Sequence, residues 1–385
     1  MGKRSVMRCV DFLGNPASPH VRHWEMIMRR LDIEPVVHGI ALHYQRKAVV
    51  KNARQVGPTW TSRIPVAAAY LVAGLSLRCK SFFKQEENQF VHAHNASGYG
   101  LSAWISGLSY GVTTYGTEIY AASQRGWVYR FVLRRILRRA KFITSTSRQM
   151  TDMLIRDFNV TQSKIYEFHL GVSALFFYSA DKRNKKRKEL NIEANECLWI
   201  ANRRVHPLYH TRELVRAFKC YAAENPLGRL ILLEGDADAK YLDEVKREID
   251  GCDRITLISG FISQQELCGW LCAADFAISI PLSDQLSSSI LEAMSCCAVP
   301  ILGNLQAYGV IGEVAEFVDL QSADLTKSLY VMFVRTAQFD PNMKKKKGGA
   351  ALELANKEFS IDSAGQSIKR LYEESVPENS NCGVI

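Results

Sequence analysis

Short runs of four to six apolar residues recur along this chain, and between them lie longer stretches with apolar positions every three or four residues. The first pattern reads as buried strand and the second as amphipathic helix. In the first half it predicts strands at 5–13, 36–40, 90–94, 111–115 and 142–145, with helices at 20–31, 64–77, 100–107 and 127–139. The alternation resumes with strand 197–201, helix 211–225, strand 229–233, helix 239–249, strand 255–258, helix 264–272 and strand 276–280. A helix within 283–298, a strand at 299–302 and a last helix near 363–372 complete it. Strands alternating with helices of this length form parallel sheets covered on both faces, and there are enough units for two in tandem. The basic runs Lys182–Lys188 (KRNKKRK) and Lys344–Lys347 lack apolar periodicity and read as solvated surface loops.

A length of 385 residues suits two domains, and 47% hydrophobic with 23% charged residues is ordinary for a globular chain. No run of 18 apolar residues occurs, so no transmembrane helix is expected. The opening MGKRSVMRCVDFLG lacks the apolar core of a signal peptide, and Val6 stands where a myristoylation signal needs Ser or Thr. The closing CGVI fits a prenylation box poorly because of Gly383. The ten cysteines form no C-x-x-C pair, and Cys296 and Cys297 are adjacent, so a reducing, cytoplasmic location without a zinc site is expected. Charge adds more. Residues 1–150 carry 22 Lys/Arg against 7 Asp/Glu, whereas the whole chain is only +10, leaving the remainder mildly acidic. A basic half favours an anionic partner such as a membrane, a diphosphate lipid or nucleic acid.

The stretch 283–303, SDQLSSSILEAMSCCAVPILG, follows a strand and opens a helix. Ligands of open α/β sheets bind at the carboxyl ends of strands, and a helix N-terminus presents free N–H groups that suit phosphate. Ser287, Ser288 and Ser289 are small enough for a diphosphate to approach their backbone. Glu292 lies one turn beyond Ser288 on the same face, placed to accept from ribose hydroxyls. The alternative is a solvent-facing acid in the first turns of a helix, where acids are favoured in any case.

These residues carry a resemblance. Asp284-x7-Glu292 followed by AMSCCAVPIL is similar to the acid-x7-Glu block of family 4 glycosyltransferases, which have the GT-B fold. The likeness continues in order along the chain: NPASPHVRHW after the first strand, VHAHNASGYGLSAWISG, TTYGTEI, FHLGVS, ANRRVHPLYHTRELVRAF, LLEGDAD and ISGFISQQELCGWLCAADFAISIPLSD. It implies an α/β chain of two Rossmann-like, doubly wound domains facing a cleft. Residues 1–172 would bind the acceptor and 173–358 the donor, with 359–385 a helix crossing back to the first domain plus a tail. It implies a retaining hexosyl transfer from a nucleotide diphosphate sugar, UDP- or GDP-linked, with no cofactor and no metal. By position, Arg203, Arg204, His210, Phe261, Asp284, Ser287, Ser288, Ser289 and Glu292 would hold the donor, and Gly14, His20, His94 and Tyr115 the acceptor. Glu118, Asp284 and Arg204 would be catalytic. The chain departs from the family at four places. Tyr209 and His210 replace a usual Lys, Tyr115 a His, and Gln285 and Cys297 two glycines.

His92 and His94 share one face of a strand and read either as ligands of a metal without an evident third partner or as polar cleft residues. In helix 127–139, Val128, Phe131, Val132 and Ile136 form an apolar face and Arg130, Arg134 and Arg138 another. That face either docks on the sheet or rests on an anionic membrane, helped by Trp60, Phe82 and Phe83 in the basic segment 45–85. The resemblance favours a polyprenyl-diphosphate-linked glycan acceptor at the inner face of the membrane, in surface polysaccharide synthesis. A nucleotide-sugar binder without turnover, a nucleotide-sugar epimerase and a basic nucleic-acid-binding protein are the other readings. No RRM, KH or helix-turn-helix signature supports the last of these.

Overall fold

The computed structural model describes residues 9–45, 53–84, 89–260 and 262–376, without the side chains of 45 and 82–84. The expected strand start at 5–8, Phe261, the rings of Phe82 and Phe83 and the terminal CGVI therefore lie outside the described residues. The chain divides into two compact units, the first up to Leu170 and again from Asp362, the second Gly171–Ile361.

The first unit holds a seven-stranded sheet: β1 Cys9–Leu13, β2 Glu34–Ile40, β3 Ala53–Val56, β4 Phe90–His94, β5 Ser109–Thr113, β6 Ile143–Ser145 and β7 Ile165–Glu167. Their order is β3-β2-β1-β4-β5-β6-β7, all parallel. The second unit holds β8 Cys197–Ala201, β9 Gly228–Leu233, β10 Ile255–Ile258, β11 Phe276–Ser279, β12 Val299–Gly303 and β13 Glu316–Val318. These run parallel in the order β10-β9-β8-β11-β12-β13. Both sheets are doubly wound, with sequence order reversing between β1 and β4 and between β8 and β11.

Central strands are buried on both faces because helices cover both, which is why β8 (CLWIA) and β12 (VPILG) are apolar throughout instead of alternating. Trp199 on β8 stacks on Phe276 of β11 at 5.8 Å and meets Phe333 edge-on at 5.4 Å. Such pairs each add about 0.5–1.5 kcal/mol beyond the area they bury. Helix starts are set by side-chain caps: Ser147, Asp238 and Ser263 accept the N–H groups of Met150, Tyr241 and Glu266.

Three expectations change. The run KRNKKRK lies in a helix, Ala180–Glu189, capped by Ser179. Its arginines are tied inward: Arg183 donates to Asp275 and to the last carbonyls of the helix Gln264–Ala273, while buried Arg187 donates to the carbonyls of Glu193 and Glu196. Tertiary ion pairing replaces the missing apolar stripe. Lys344–Lys347 likewise belong to a helix, Pro341–Glu358, with Asp340 as cap and Pro341 at its first position. In the helix Gly126–Arg139 the core face is Leu133, Ile136 and Leu137. Val128 and Phe131 instead point outward, 55% and 52% exposed, beside Trp127 at 78%.

The helix Ile361–Ser375 packs into the first unit from Asp362 onward. Its Tyr372 hydroxyl bonds His92 Nδ1 at 2.6 Å, and the ring lies against Phe90 and Phe142.

Candidate functional site

In the second unit, the loops leaving β8 and β11 emerge side by side at the reversal of strand order, where an open parallel sheet opens a crevice at its carboxyl edge. The first loop carries Asn202, Arg203 and Arg204, and the second Asp284 and the serines. Arg203 joins them. Its Nη1 lies 3.1 Å from Asp284 Oδ2 and donates to Ser289 Oγ at 3.0 Å, while Nη2 donates to the Tyr209 hydroxyl at 2.8 Å. The guanidinium also sits 4.5 Å from the centre of the Tyr209 ring. Asn202 donates to the Ser289 carbonyl at 2.8 Å, and the Tyr308 hydroxyl donates to Asp284 Oδ2 at 3.0 Å. Thus the serine turn, the first acid and one arginine form a single hydrogen-bonded unit.

Ser287 is the N-cap of the helix Ser288–Ser295 but makes no capping bond; its hydroxyl pairs with that of Ser289 at 3.0 Å. The Ile290 N–H donates to the Ser287 carbonyl at 3.2 Å, while those of Ser288 and Ser289 are left to an outside acceptor. Glu292 stands one turn below, half-buried rather than turned to bulk solvent. Burial pushes its carboxyl up to about 7, against the opposing pull of the nearby Arg203 charge. Arg204 is more exposed; among the described residues its Nη1 lies 3.6 Å from Asp236 Oδ2 and donates to the Asp236 carbonyl at 3.4 Å. His210 takes a left-handed backbone (φ 51°) ahead of the helix Thr211–Glu224, and burial lowers its pKa, which Glu213 opposes. Its imidazole is thus held toward the neutral form, and Nε2 is buried without a partner.

The first unit repeats the geometry at the junction of β1 and β4. Gly14 follows β1, His94 ends β4, and Tyr115 follows β5. His94 Nδ1 bonds the Tyr115 hydroxyl at 2.8 Å, and the exposed His20 ring stacks on Tyr115 at 4.7 Å. Burial, then the neighbouring His20, takes the His94 pKa down to about 3. Its Nε2 is buried and has no partner among the described residues. A Cβ on Gly14 would meet Val21 Cγ2 at 3.1 Å and His94 Cβ at 3.3 Å, so it fits only where those side chains give by a few tenths of an ångström. Glu118 is buried, 2% exposed. Its Oε1 accepts the N–H of Tyr115 at 3.1 Å and of Ala96 at 3.4 Å, so it ties the loops after β5 and β4 together. Burial raises its pKa, and Oε2 has no partner. Both ring nitrogens of His92 are taken, by Tyr372 and Thr113, which leaves none for a metal.

The structure thus gathers Arg203, Asp284, Ser287, Ser289 and Glu292 in one unit, with Arg204 and His210 on the adjoining loop. His20, His94, Tyr115 and Glu118 gather in the other. Sequence reasoning missed Asn202 and Tyr308, and took Tyr209 only as a lost lysine. Tyr308 follows β12, the neighbour of β11, so its place at a strand's carboxyl end was the available signal. Also unforeseen is the pair Asp11–His38, both buried, with Oδ1 2.7 Å from Nε2.

Comparison with known proteins agrees with this architecture. Residues 25–174 match the family described as Glycosyltransferase Family 4. Among solved structures, Anabaena HepE in complex with UDP and glucose aligns at TM-score 0.71 and 15% identity, over 96% of this chain and 100% of that one. The sucrose-phosphate synthase of Thermosynechococcus elongatus aligns at 0.70 and 18%, over 95% and 98%. A glycosyltransferase from Rickettsia africae aligns at 0.71 and 13%, over 96% and 98%.

Proposed function

We propose that this chain, a glycosyltransferase of the family 4 type, moves a hexose from a nucleotide diphosphate sugar to a glycan hydroxyl with retention at the anomeric carbon. The observation that carries the donor assignment is the Arg203–Asp284–Ser289 unit at the junction of β8 and β11, with Glu292 one turn beneath. Free N–H groups at Ser288 and Ser289 face where a diphosphate binds, and Arg203 supplies charge. When the bond from the anomeric carbon to the diphosphate oxygen breaks, negative charge grows on the departing phosphate. A fixed guanidinium and helix N-terminus offset that growth without reorganising. Glu292, as carboxylate, accepts from the ribose hydroxyls, and Arg204 is loosely enough held to turn onto the phosphates. The Anabaena HepE structures hold UDP with glucose and UDP-glucose, which supports a UDP-linked donor here.

The acceptor belongs with the His20, His94, Tyr115 and Glu118 group, and we read it as a glycan carried on a polyprenyl diphosphate. Support comes from the basic charge of residues 1–150 and from Trp127, Val128 and Phe131 standing exposed among Arg125, Arg130, Arg134 and Arg135. A helix of that make-up rests in the interface of an anionic membrane. No helix among the described residues is long and apolar enough to cross one. We place the enzyme at the inner face of the membrane in surface polysaccharide synthesis.

The test is thermal unfolding with UDP and GDP. The parent chain gains stability with its nucleotide, and Glu292→Ala loses that gain. Full nucleotide affinity in Glu292→Ala would sink the donor site. Transfer of labelled sugar into membrane lipid extract then separates a working enzyme from a binder. The binder reading has its own support in the missing lysine and in the burial that holds His210 toward neutrality.

A further inference from the structure

Three cysteines far apart in sequence meet in the second unit. Cys268 and Cys272 lie one turn apart on the helix Gln264–Ala273, and Cys296 closes the helix Ser288–Ser295. All three are buried, and their sulfurs lie within 4.8 Å of one another. Buried thiols are often no more than small apolar side chains. Two features set this group apart. The Lys182 ammonium reaches in, with Nζ 3.3 Å from Cys268 Sγ and 3.5 Å from the centre of the Phe177 ring. A cation beside a sulfur stabilises thiolate rather than thiol. The carbonyl oxygen of Phe177 also faces the group, 3.6 Å from Cys268 Sγ and 3.4 Å from Cys272 Sγ.

We propose that Cys268, Cys272 and Cys296 bind a zinc ion, with the Phe177 carbonyl closing the fourth side. Zinc–sulfur bonds of about 2.3 Å in a tetrahedron put sulfurs about 3.8 Å apart, and an oxygen ligand at about 2.1 Å lies about 3.6 Å from each sulfur. The Cys268–Cys296 distance is 3.8 Å, and the sulfur–carbonyl distances are 3.4 and 3.6 Å. Thiolate ligands select zinc or copper(I) over harder ions. Charge then favours zinc, since three thiolates, one divalent ion and the Lys182 ammonium sum to no net charge inside an apolar core. Binding breaks three S–H bonds, forms three Zn–S bonds and releases three protons to solvent. The ion would clip the helix Gln264–Ala273 to the C-terminal end of the helix whose first turn carries Ser288 and Ser289.

The test is metal analysis of the chain purified under reducing conditions in zinc-supplied, chelator-free buffer. The expected result is about one zinc per chain, lost in Cys268→Ser and Cys272→Ser and kept in Cys220→Ser, an exposed thiol. Cobalt(II) exchanged into the parent chain should show thiolate-to-metal charge-transfer absorption, a reading that needs no variant to fold. A parent chain with reduced thiols that holds neither zinc nor cobalt overturns the proposal and leaves the three cysteines as packing.

Discussion

At the scale of single residues, the Glu292 carboxyl is lifted to about 7 by burial and only partly drawn back by Arg203. Its folded value therefore lies above that of the unfolded chain. The folded state holds the extra proton between the two values, so stability falls as pH rises through that window and the loss is complete above about 7. Glu292→Gln removes the cost. It should leave the melting temperature unchanged near pH 4 and raise stability at pH 8 by roughly 1–3 kcal/mol. UDP affinity should tighten from pH 6 to 8 in the parent, beyond any change in the Gln variant, because the ionised carboxylate is the better acceptor. Equal pH profiles in the two proteins would remove Glu292 from the ribose. The position of Glu292 was legible in sequence because an i, i+4 spacing fixes which face a residue shares. The partners of Arg203 were not. Tyr308 meets Asp284 only because β12 lies beside β11, and neighbouring strands are a matter of topology, not spacing.

At the scale of elements, the helix Pro341–Glu358 tests how closely backbone meets backbone. A Cβ on Gly348 would press on the carbonyl oxygen of Cys297, whereas one on Gly349 would meet nothing. Adjacent glycines should thus answer with opposite signs. Gly348→Ala should destabilise by about 1–3 kcal/mol through forced separation, and Gly349→Ala should stabilise by about 0.5–1 kcal/mol through helix propensity. Denaturant midpoints of the two variants decide it. Cys297 itself has φ 66°, the left-handed region that glycine enters freely. The exposed ridge of the helix Gly126–Arg139 makes a second test. Replacing Trp127 and Phe131 with Ser should weaken binding to anionic vesicles roughly tenfold or more, since each large apolar side chain contributes about 1.5–3 kcal/mol when fully buried. Unchanged cosedimentation would detach the membrane from this helix. Periodicity found this helix but left open whether the Val128, Phe131, Val132 and Ile136 face turns inward; the buried face is Leu133, Ile136 and Leu137. The helix Ala180–Glu189 escaped notice altogether, since Arg183, Arg187 and Asp275 hold it where no apolar stripe does.

At the scale of the molecule, strand–helix alternation announced two parallel sheets because buried strands and amphipathic helices carry different periods. Elements of three or four residues, such as β3, β7 and β13, are too short to show any period. The partition of the chain has a further consequence. The first unit is closed by the helix Ile361–Ser375, which brings Tyr372 to His92, yet its sheet is complete by Glu167. During synthesis that sheet leaves the ribosome on the order of ten seconds or more before the segment that seals it. Gly171–Ile361 is contiguous and can finish first. A free chain truncated after Ile361 should therefore show a protease-resistant second unit beside a cleavable first one, because only the first lacks the helix that closes it.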